Sequence, residues 1–249
     1  MTFRLTACQM RLDQFLFSVG KASSRTDAKG LICDGKVSVN GKTVTKPAFD
    51  VTETDDVNVE DVSDRYVSRG GLKLECAMRE FVFDVKDKLA IDIGASSGGF
   101  TDFLLRNGAK HVIAVDSGTN QLVSSLRNDP RVSVMENCNA RYLESDQLEY
   151  TPDLAVMDVS FISATYIIPA LYNILADVAD FICLVKPQFE VGRSNIGKGG
   201  IVKDEKIRQS ALTKVTEYAK SIGFKLVATT QSDVIGGDGN IEFLAHFKK

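Results

Sequence analysis

The chain has 249 residues, a net charge of −3 and ordinary proportions of apolar (44%) and charged (25%) residues. This length can bury one large core or two smaller ones, and the slightly negative charge means that any binding to nucleic acid needs a local basic patch. The five cysteines have no CxxC spacing, which argues against zinc and structural disulfides. No run approaches the roughly 18 apolar residues of a membrane span, and no signal-peptide pattern is present. We therefore expect a cytoplasmic protein without membrane contact.

Residues 10–60 have the pattern of a small separate unit with two helices and a short sheet. In the first predicted helix, apolar residues recur at helical spacing and end at a glycine: Leu12, Phe15, Leu16, Val19 and Gly20. Ser24 can cap a second helix over residues 25–32, and Asn40-Gly41 predicts a tight hairpin turn. Residues 61–65 are polar and acidic, as expected of a linker.

Basic residues gather in this unit before Pro47, where seven stand against three acids. The bland interpretation is a solvated surface, but the motifs are more specific: Arg11-Leu-Asp-x-x-Leu16, Ser24-Arg-x-Asp-Ala28, Ile32-x-x-Gly-x-Val-x-Val-Asn-Gly41 and Lys46-Pro47. Together they resemble the S4 RNA-binding module. The resemblance implies a helix pair that presents basic side chains to the phosphates of folded RNA. The expected contacts are Arg11, Lys21, Arg25, Lys29 and Lys36.

A glycine-rich turn follows an apolar run at residues 90–100, and a helix is predicted over residues 99–106. A strand, a tight turn and a helix N-terminus form the arrangement that binds a nucleotide-like ligand at the edge of a parallel sheet. The acid near the strand end and the GxxxGG spacing differ from the GxGxxG of dinucleotide sites and fit S-adenosylmethionine better. The residues expected to hold it are Asp92, Gly94, Ala95, Ser96, Gly98, Gly99 and Phe100.

Beyond this turn, predicted strands and helices alternate along the chain. The strands are expected at 112–115, 132–134, 154–157, 181–185, 225–230 and 241–247, and the helices at 120–127, 164–175 and 204–221. Alternation of this kind predicts an α/β fold with a parallel sheet covered on both faces. The last two strands read as a hairpin joined by residues 236–239. Seven strands with an antiparallel edge suit a Rossmann-like methyltransferase, preceded here by the small α+β unit.

Polar residues at three strand ends are further candidates for the ligand crevice, which lies outside the carboxyl ends of parallel strands. Asp116 and Ser117 follow the second strand, where a carboxylate can accept hydrogen bonds from ribose hydroxyls. The alternative for Asp116 is a strand-terminal acid that caps a helix. Asn139 follows the third strand and is a weaker candidate for the adenine end. Asp158 closes the fourth strand.

Two lysines and two acids form a candidate catalytic set. Lys186 follows five apolar residues and precedes Pro187, which a solvated charge explains poorly. Glu242 is expected one residue into the final strand, and Lys73 opens a helical run after the predicted turn at Gly70-Gly71. Each residue alone is compatible with a structural role. With Asp158 they make a lysine–aspartate–lysine–glutamate set.

The order of these motifs resembles the TlyA family, which joins an S4 module to an FtsJ-like methyltransferase domain. The matching motifs are Ser68-Arg-Gly-Gly-x-Lys73, Asp92-Ile-Gly-Ala-Ser-Ser-Gly-Gly-Phe100, Asp158-Val-Ser-Phe-Ile-Ser163, Leu184-Val-Lys-Pro-Gln-Phe-Glu190, Gly197-Lys-Gly-Gly200 and Gly239-Asn-x-Glu-Phe-Leu244. The resemblance implies 2′-O-methylation of ribosomal RNA cytidines by domains at 10–60 and 66–249. Its catalytic tetrad falls on Lys73, Asp158, Lys186 and Glu242. Asp233 and Gly237-Asp238 depart from the family pattern, where Pro and Pro-Lys are common.

The chemistry of that reaction suits these four residues. A ribose 2′-hydroxyl must lose its proton as it attacks a sulfonium methyl group. A lysine acts as a base only when neutral, and lowering its pKa from about 10.4 towards 7–8 costs about 4 kcal/mol, within the reach of burial and a nearby cation. We expect Lys186 to take the proton or orient the hydroxyl and Lys73 to supply positive charge. The two carboxylates hold the ammonium groups, and no metal is required.

The loop at 192–200 carries Arg193 and Lys198 among four glycines. One hypothesis is a lid that orders over RNA, and the alternative is a passive surface loop. Arg69 is a further candidate RNA contact. The expected partner is ribosomal RNA or a ribosomal subunit, and no stable protein partner is predicted.

Three other functions are considered. An amino-methyltransferase would carry an Asn/Asp-Pro-Pro-aromatic turn, but Asp158-Val-Ser-Phe161 lacks the prolines and Lys186 would have no role. A binding-only ribosome-assembly factor is a second alternative, which the intact tetrad argues against. A haemolysin, the label that the family has carried, would need a signal, a span or a strongly basic amphipathic helix, and the sequence shows none of them.

Overall fold

The computed structural model describes residues 10–22, 25–33, 35–52, 54–59 and 66–249. The predicted cap at Ser24 and the predicted linker at 61–65 lie outside these residues. The chain divides into two compact units. The smaller unit holds the described residues before position 60 together with residues 235–239, and the larger unit holds the remainder. Within the described ranges, no helix combines the length and the apolar character needed to cross a bilayer.

The smaller unit contains two helices and short strands, as its sequence pattern predicts. Its elements are β1 (Met10–Arg11), α1 (Leu12–Ser18), α2 (Arg25–Cys33), β2 (Val37–Val39), β3 (Lys42–Thr43), β4 (Asp50–Val51) and β5 (Val57–Val59). Strand β2 pairs with β3 and β5, and β1 pairs with β4, all antiparallel. Val19, expected on the buried face of α1, is instead 48% exposed. The helix ends one residue earlier, at Ser18, and the chain turns at Gly20 with a φ of 72°.

One seven-stranded sheet forms the centre of the larger unit. Its strands are β6 (Leu89–Ile93), β7 (His111–Val115), β8 (Val132–Met135), β9 (Leu154–Met157), β10 (Asp180–Val185), β11 (Lys225–Gln231) and β12 (Phe243–Lys248). Their order across the sheet is β11-β12-β10-β9-β6-β7-β8. Strand β12 is antiparallel to both neighbours, and the other pairs are parallel. The predicted mostly parallel α/β fold with an antiparallel edge is therefore confirmed.

Helices cover both faces of this sheet, because its central strands β6, β7, β9 and β10 are buried on both sides. The helices are α3 (Gly70–Glu80), α4 (Gly99–Arg106), α5 (Ser124–Arg127), α6 (Ile168–Ile174), α7 (Pro187–Glu190) and α8 (Glu205–Ile222). On one face, α3 and α4 bury Leu74 and Phe103. On the other, α6 and α8 bury Leu171 and Val215.

Four further predicted boundaries were wrong. The helix expected from 120 begins only at Ser124, because the Glu136 carboxylate accepts the backbone N–H groups of residues 120, 121 and 122 and holds them as a turn. The helix expected over 164–175 divides into a 3-10 turn at Ala164–Tyr166 and α6. Gly70 lies in the first turn of α3 rather than in a loop. The last strand starts at Phe243, so Glu242 precedes it.

The N-terminal ends of α3 and α4 meet in close backbone contact. A Cβ atom on Gly99 would lie 3.0 Å from the Cα atom of Gly70 and from the backbone nitrogen of Gly71, and it would collide with the hydroxyl of Ser68. Only glycine allows this approach. The contact fixes the first turn of α3, from which Lys73 extends.

Replacing Gly99 by alanine should therefore lower the free energy of unfolding by about 1–3 kcal/mol, because the two helix ends must separate to admit the methyl group. Urea denaturation measures this. Gly192→Ala is the matched control, since the atom nearest to its added Cβ would be 3.9 Å away. Equal stability of the two variants would contradict the close helix contact.

Asp92 is buried near the carboxyl end of β6, where its Oδ2 atom accepts a hydrogen bond of 2.7 Å from the Thr101 hydroxyl of α4. Its Oδ1 atom has no hydrogen-bond partner among the described residues. Burial raises the pKa of Asp92 to about 7, although the bond from Thr101 opposes this shift. A group buried in this way makes the stability of the fold depend on pH.

Because the folded-state pKa of Asp92 exceeds its ordinary value of 3.8, the folded protein keeps a proton that the unfolded chain loses between about pH 4 and pH 7. The free energy of unfolding falls as pH rises through this window, by up to about 4 kcal/mol. Asp92→Asn removes this contribution, so its stability relative to the wild type should increase with pH. Urea unfolding across that window measures the difference, with Asp146→Asn, which changes an exposed carboxylate, as the background. A difference independent of pH would refute the buried-acid assignment.

Candidate active site

The strand register brings three distant segments to one place at the carboxyl edge of the sheet. Strands β9 and β10 are parallel neighbours, and Asp158 and Lys186 follow directly after them. Val185 pairs with Phe243 at the start of the antiparallel β12. Glu242, which precedes Phe243, therefore reaches the same edge from the opposite direction.

Four side chains form a continuous chain of alternating charge at this point, and we call them the charged set: Lys73, Asp158, Lys186 and Glu242. The Lys186 Nζ atom lies 2.5 Å from Asp158 Oδ1. The Lys73 Nζ atom lies 3.8 Å from Asp158 Oδ2 and 2.7 Å from Glu242 Oε2. Their side chains are between 2% and 19% exposed, and buried charges are tolerated only when paired. All four residues of the predicted catalytic set thus meet, which sequence spacing alone could not show.

These ion pairs set the protonation states of Lys73 and Asp158. Burial favours the neutral form of Lys73, but the carboxylates of Asp158 and Glu242 outweigh it, and the pKa of Lys73 is raised. Burial would likewise raise the pKa of Asp158, but the two lysines outweigh it, and that pKa is lowered. Near neutral pH, Lys73 is an ammonium and Asp158 a carboxylate. Lys73 is therefore suited to supply charge and not to accept a proton.

Ser160 is a neighbour of this set that the sequence prediction missed. The Lys186 ammonium donates a hydrogen bond of 2.8 Å to the Ser160 hydroxyl. The motif Asp158-Val-Ser160 contains the signal, because it places a hydroxyl two residues after the candidate acid. The Lys186 nitrogen is thus oriented by one carboxylate and one hydroxyl.

A cavity of about 570 Å³ opens beside the charged set, at the carboxyl ends of β6, β7 and β9. Its volume is that of a small-molecule site. The predicted cofactor residues that line it are Gly94, Ser96, Asp116, Ser117, Asn139 and Asp158. Unpredicted lining residues include Gln121, Cys138, Phe161 and Ile167. Asp158 belongs to both the cavity and the charged set, so the two adjoin.

Backbone geometry shapes this cavity. Gly94 has a φ of 84°, and a Cβ atom there would collide with the carbonyl oxygen of Asp158, so no other residue fits without strain. The Asp116 carboxylate accepts the backbone N–H groups of Ser96 at 2.8 Å and Gly118 at 2.7 Å. It thereby ties the turn after β6 to the turn after β7, and still faces the cavity.

The other predicted cofactor residues support the turn and do not line the cavity. Asp92 bonds to Thr101 beneath the turn, and Ala95 and Phe100 are buried in the core together with apolar residues of α3 and α4. Gly98 has a φ of 100°, and its α-carbon faces the side chains of Leu122 and Leu126. Gly99 packs on α3.

The predicted RNA contacts lie in both units. In the smaller unit, Arg11 and Arg25 approach Asp13 at 2.9 and 3.4 Å, and the Lys21 ammonium donates to the carbonyl of Val57. Lys29 is exposed and Lys36 is partly buried. In the larger unit, Arg69 precedes α3, while Arg193 and Lys198 lie in two exposed 3-10 turns, Arg193–Asn195 and Lys198–Gly200.

Asn240 ties this glycine-rich loop to the charged set. Its buried side chain accepts the N–H of Val202 at 2.9 Å and donates to the carbonyl of Gly200 at 3.0 Å. Asn240 stands two residues before Glu242. The loop is therefore anchored at one end beside the site, and its closure over RNA stays a prediction.

Glu190 is a second residue that sequence reasoning missed. Its buried carboxylate accepts from the Ser163 hydroxyl at 2.5 Å, the Ala164 N–H at 2.7 Å and the Lys214 ammonium at 3.1 Å. It joins α7, which begins directly after Lys186, to the loop that follows Asp158. The signal was present in the motif Lys186-Pro-Gln-Phe-Glu190, which places an acid four residues after the candidate lysine.

Comparison with known proteins agrees with this architecture. The family model described as FtsJ-like methyltransferase matches residues 66–249, and the S4 domain model matches residues 10–57. A solved structure from Streptococcus thermophilus, described as a candidate hemolysin, shares 46% identity and a TM-score of 0.78, covering 98% of this chain and 90% of that one.

Two relatives match along nearly their whole lengths. Hemolysin A of Brachyspira hyodysenteriae is 45% identical, with 96% of this chain and 99% of that protein covered. The 16S/23S rRNA (cytidine-2′-O)-methyltransferase TlyA of Mycobacterium tuberculosis is 43% identical, with 95% and 89% covered. The chain therefore belongs to the FtsJ-like methyltransferase family and, within it, to the group of relatives named TlyA and hemolysin A.

Proposed function

We propose that this protein transfers a methyl group from S-adenosylmethionine to a ribose 2′-hydroxyl of ribosomal RNA. The observation that carries the proposal is the chain of alternating charge from Glu242 through Lys73 and Asp158 to Lys186, at the mouth of a ligand cavity. The relative from M. tuberculosis, by its name, methylates cytidine in both 16S and 23S RNA. Cytidine is therefore the acceptor that we expect.

The cavity fits the methyl donor in both space and chemistry. Gly94 lines the cavity with backbone alone, Asp116 offers carboxylate oxygens suited to ribose hydroxyls, and Asp158 is a negative charge suited to a sulfonium. Ser96, Ser117 and Asn139 supply further polar lining. When bound, S-adenosylmethionine supplies an activated methyl group.

In this proposal, the residues of the charged set orient and deprotonate the acceptor hydroxyl. Lys186, once deprotonated to the neutral amine, holds the acceptor hydroxyl and receives its proton as the oxygen attacks, aided by the orientation that Asp158 and Ser160 impose. Lys73, fixed by two carboxylates, supplies positive charge that opposes protonation of its neighbour. Holding the oxygen in line with the methyl group contributes a large part of the acceleration.

The smaller unit supplies most of the RNA contacts in this proposal. We assign residues 10–60 as the RNA-binding domain and 66–249 as the catalytic domain, with phosphate contacts from the basic side chains of both. The candidates are Arg11, Lys21, Arg25, Lys29, Lys36, Arg69, Arg193 and Lys198. The match to the S4 domain supports the first of these assignments.

Replacing Lys186 by alanine should reduce kcat about 10²- to 10⁴-fold, the usual contribution of a positioned acid or base. The measurement is transfer of a tritiated methyl group to ribosomal subunits, combined with calorimetric binding of S-adenosylmethionine, which should persist. Lys206→Ala is the matched control, because Lys206 is an exposed lysine of α8.

Full activity of Lys186→Ala would show that Lys186 is not the base, while the proposed methyl transfer itself would still stand. A wild-type protein that binds ribosomal subunits and transfers no methyl group would instead be an assembly factor, and lysis of red cells by lipid-free protein would support a hemolysin. Mass mapping of ribosomal RNA from cells with and without the gene identifies the modified nucleotide.

Glu190→Gln should lower both stability and catalysis, because an amide cannot accept all three hydrogen bonds that the carboxylate accepts. We expect a loss of about 1–3 kcal/mol in the free energy of unfolding, and a fall in kcat that exceeds any change in the KM for S-adenosylmethionine. Glu217→Gln, which alters an exposed ion pair in α8, should leave both the free energy of unfolding and kcat close to their wild-type values. A variant with lowered stability and unchanged kcat would show that Glu190 holds the fold and not the site.

A further inference from the structure

Arg141 lies over two exposed tyrosine rings at the carboxyl edge of the central sheet. Its guanidinium carbon is 4.9 Å from the ring centre of Tyr166 and 5.5 Å from that of Tyr142. Tyr142 is 66% exposed and Tyr166 is 54% exposed. We call these three residues the arginine–tyrosine surface.

In the part of the chain that the structure describes, the guanidinium of Arg141 contacts aromatic rings and not a carboxylate. Four other arginines of the larger unit each pair with a carboxylate: Arg79, Arg106, Arg127 and Arg131. Across the described ranges, no acidic side chain forms an ion pair with Arg141, and its charge rests on aromatic faces alone. Its donors therefore stay available to an anion from outside the chain.

Both segments that carry this surface are held in place. The Asn139 side chain accepts the N–H of Arg141 at 3.2 Å. The Ser163 hydroxyl accepts the N–H of Thr165 at 3.3 Å and is itself bonded to Glu190. The rings and the guanidinium are thus presented by fixed turns, which lowers the entropy cost of binding a ligand.

The surface adjoins the ligand cavity on both of its chain segments. Asn139 and Ala140 line the cavity and lead directly into Arg141, and Ile167 lines it immediately after Tyr166. These turns follow β8 and β9, so they lie on the same edge of the sheet as Asp158. A molecule that enters the site along this edge passes the arginine–tyrosine surface.

We propose that the arginine–tyrosine surface binds a single-stranded segment of the RNA that carries the acceptor ribose. A guanidinium matches a phosphate with paired hydrogen bonds, and exposed aromatic rings stack unpaired bases with little regard to sequence. The inference rests on the proposed function and adds an RNA contact to the catalytic unit itself. Tyrosine and arginine also occur at protein interfaces, but an RNA substrate has to approach this edge to be methylated.

The test compares full-length variants for binding to ribosomal RNA stripped of protein and to intact ribosomal subunits, over a range of salt concentrations. Arg141→Gln should weaken RNA binding about 5- to 10-fold and reduce the slope of log K against log salt by about one. Tyr142→Leu and Tyr166→Leu should each weaken it about fivefold or more, while Tyr166→Phe should stay within about twofold of wild type.

Arg131→Gln is the matched control, because Arg131 is a paired arginine before the opposite end of β8. Binding of S-adenosylmethionine should be unchanged in every variant, which shows that the cavity is intact. RNA affinity equal to wild type in both Arg141→Gln and Tyr142→Leu would overturn the proposal. So would weakened binding confined to intact subunits, because it would make the surface a protein contact. Wild-type protein that binds RNA but transfers no methyl group would defeat the proposed function and leave this RNA contact standing.

Discussion

The Asp158 carboxylate is the charge on which the rest of the site depends. It contacts both Lys73 and Lys186, at 3.8 and 2.5 Å, in a region where all side chains of the set are mostly buried. Removing one partner from a buried ion pair costs several kcal/mol, because the remaining charge is left unpaired. Without Asp158, two ammonium groups would face each other across the same space. The arrangement therefore has to be assembled as a whole.

The fold meets that requirement through its sheet. Parallel neighbours β9 and β10 deliver an acid and a lysine side by side, and the antiparallel β12 delivers Glu242 from the other direction. Helix α3 adds Lys73 because Gly99 lets its first turn approach α4 so closely. Cavity and charged set share Asp158, so donor and acceptor chemistry are coupled by one residue.

RNA recognition has to work against an overall negative charge of −3. In the proposed function, basic residues concentrated on particular surfaces resolve this conflict. The smaller unit gathers its cations on α2 and on the segments that flank α1 and α2, where Arg11 and Arg25 also pair with Asp13. The larger unit contributes Arg141, whose charge is held on tyrosine rings and not on a carboxylate. Phosphate binding on such local patches is compatible with an acidic chain.

The sequence by itself determined the α/β class, the seven strands and the turn at residues 94–99, because apolar periodicity and glycine placement are local properties. Motif order was enough to indicate the family. The sequence could not place the start of α5, because that start depends on backbone hydrogen bonds to the carboxylate of Glu136, which follows β8. Nor could it show that Ala95 and Phe100 face the core while Gly94 faces the cavity. Only the tertiary structure decided which charges meet, because the contacts of Lys73, Asp158 and Lys186 join residues far apart in the chain.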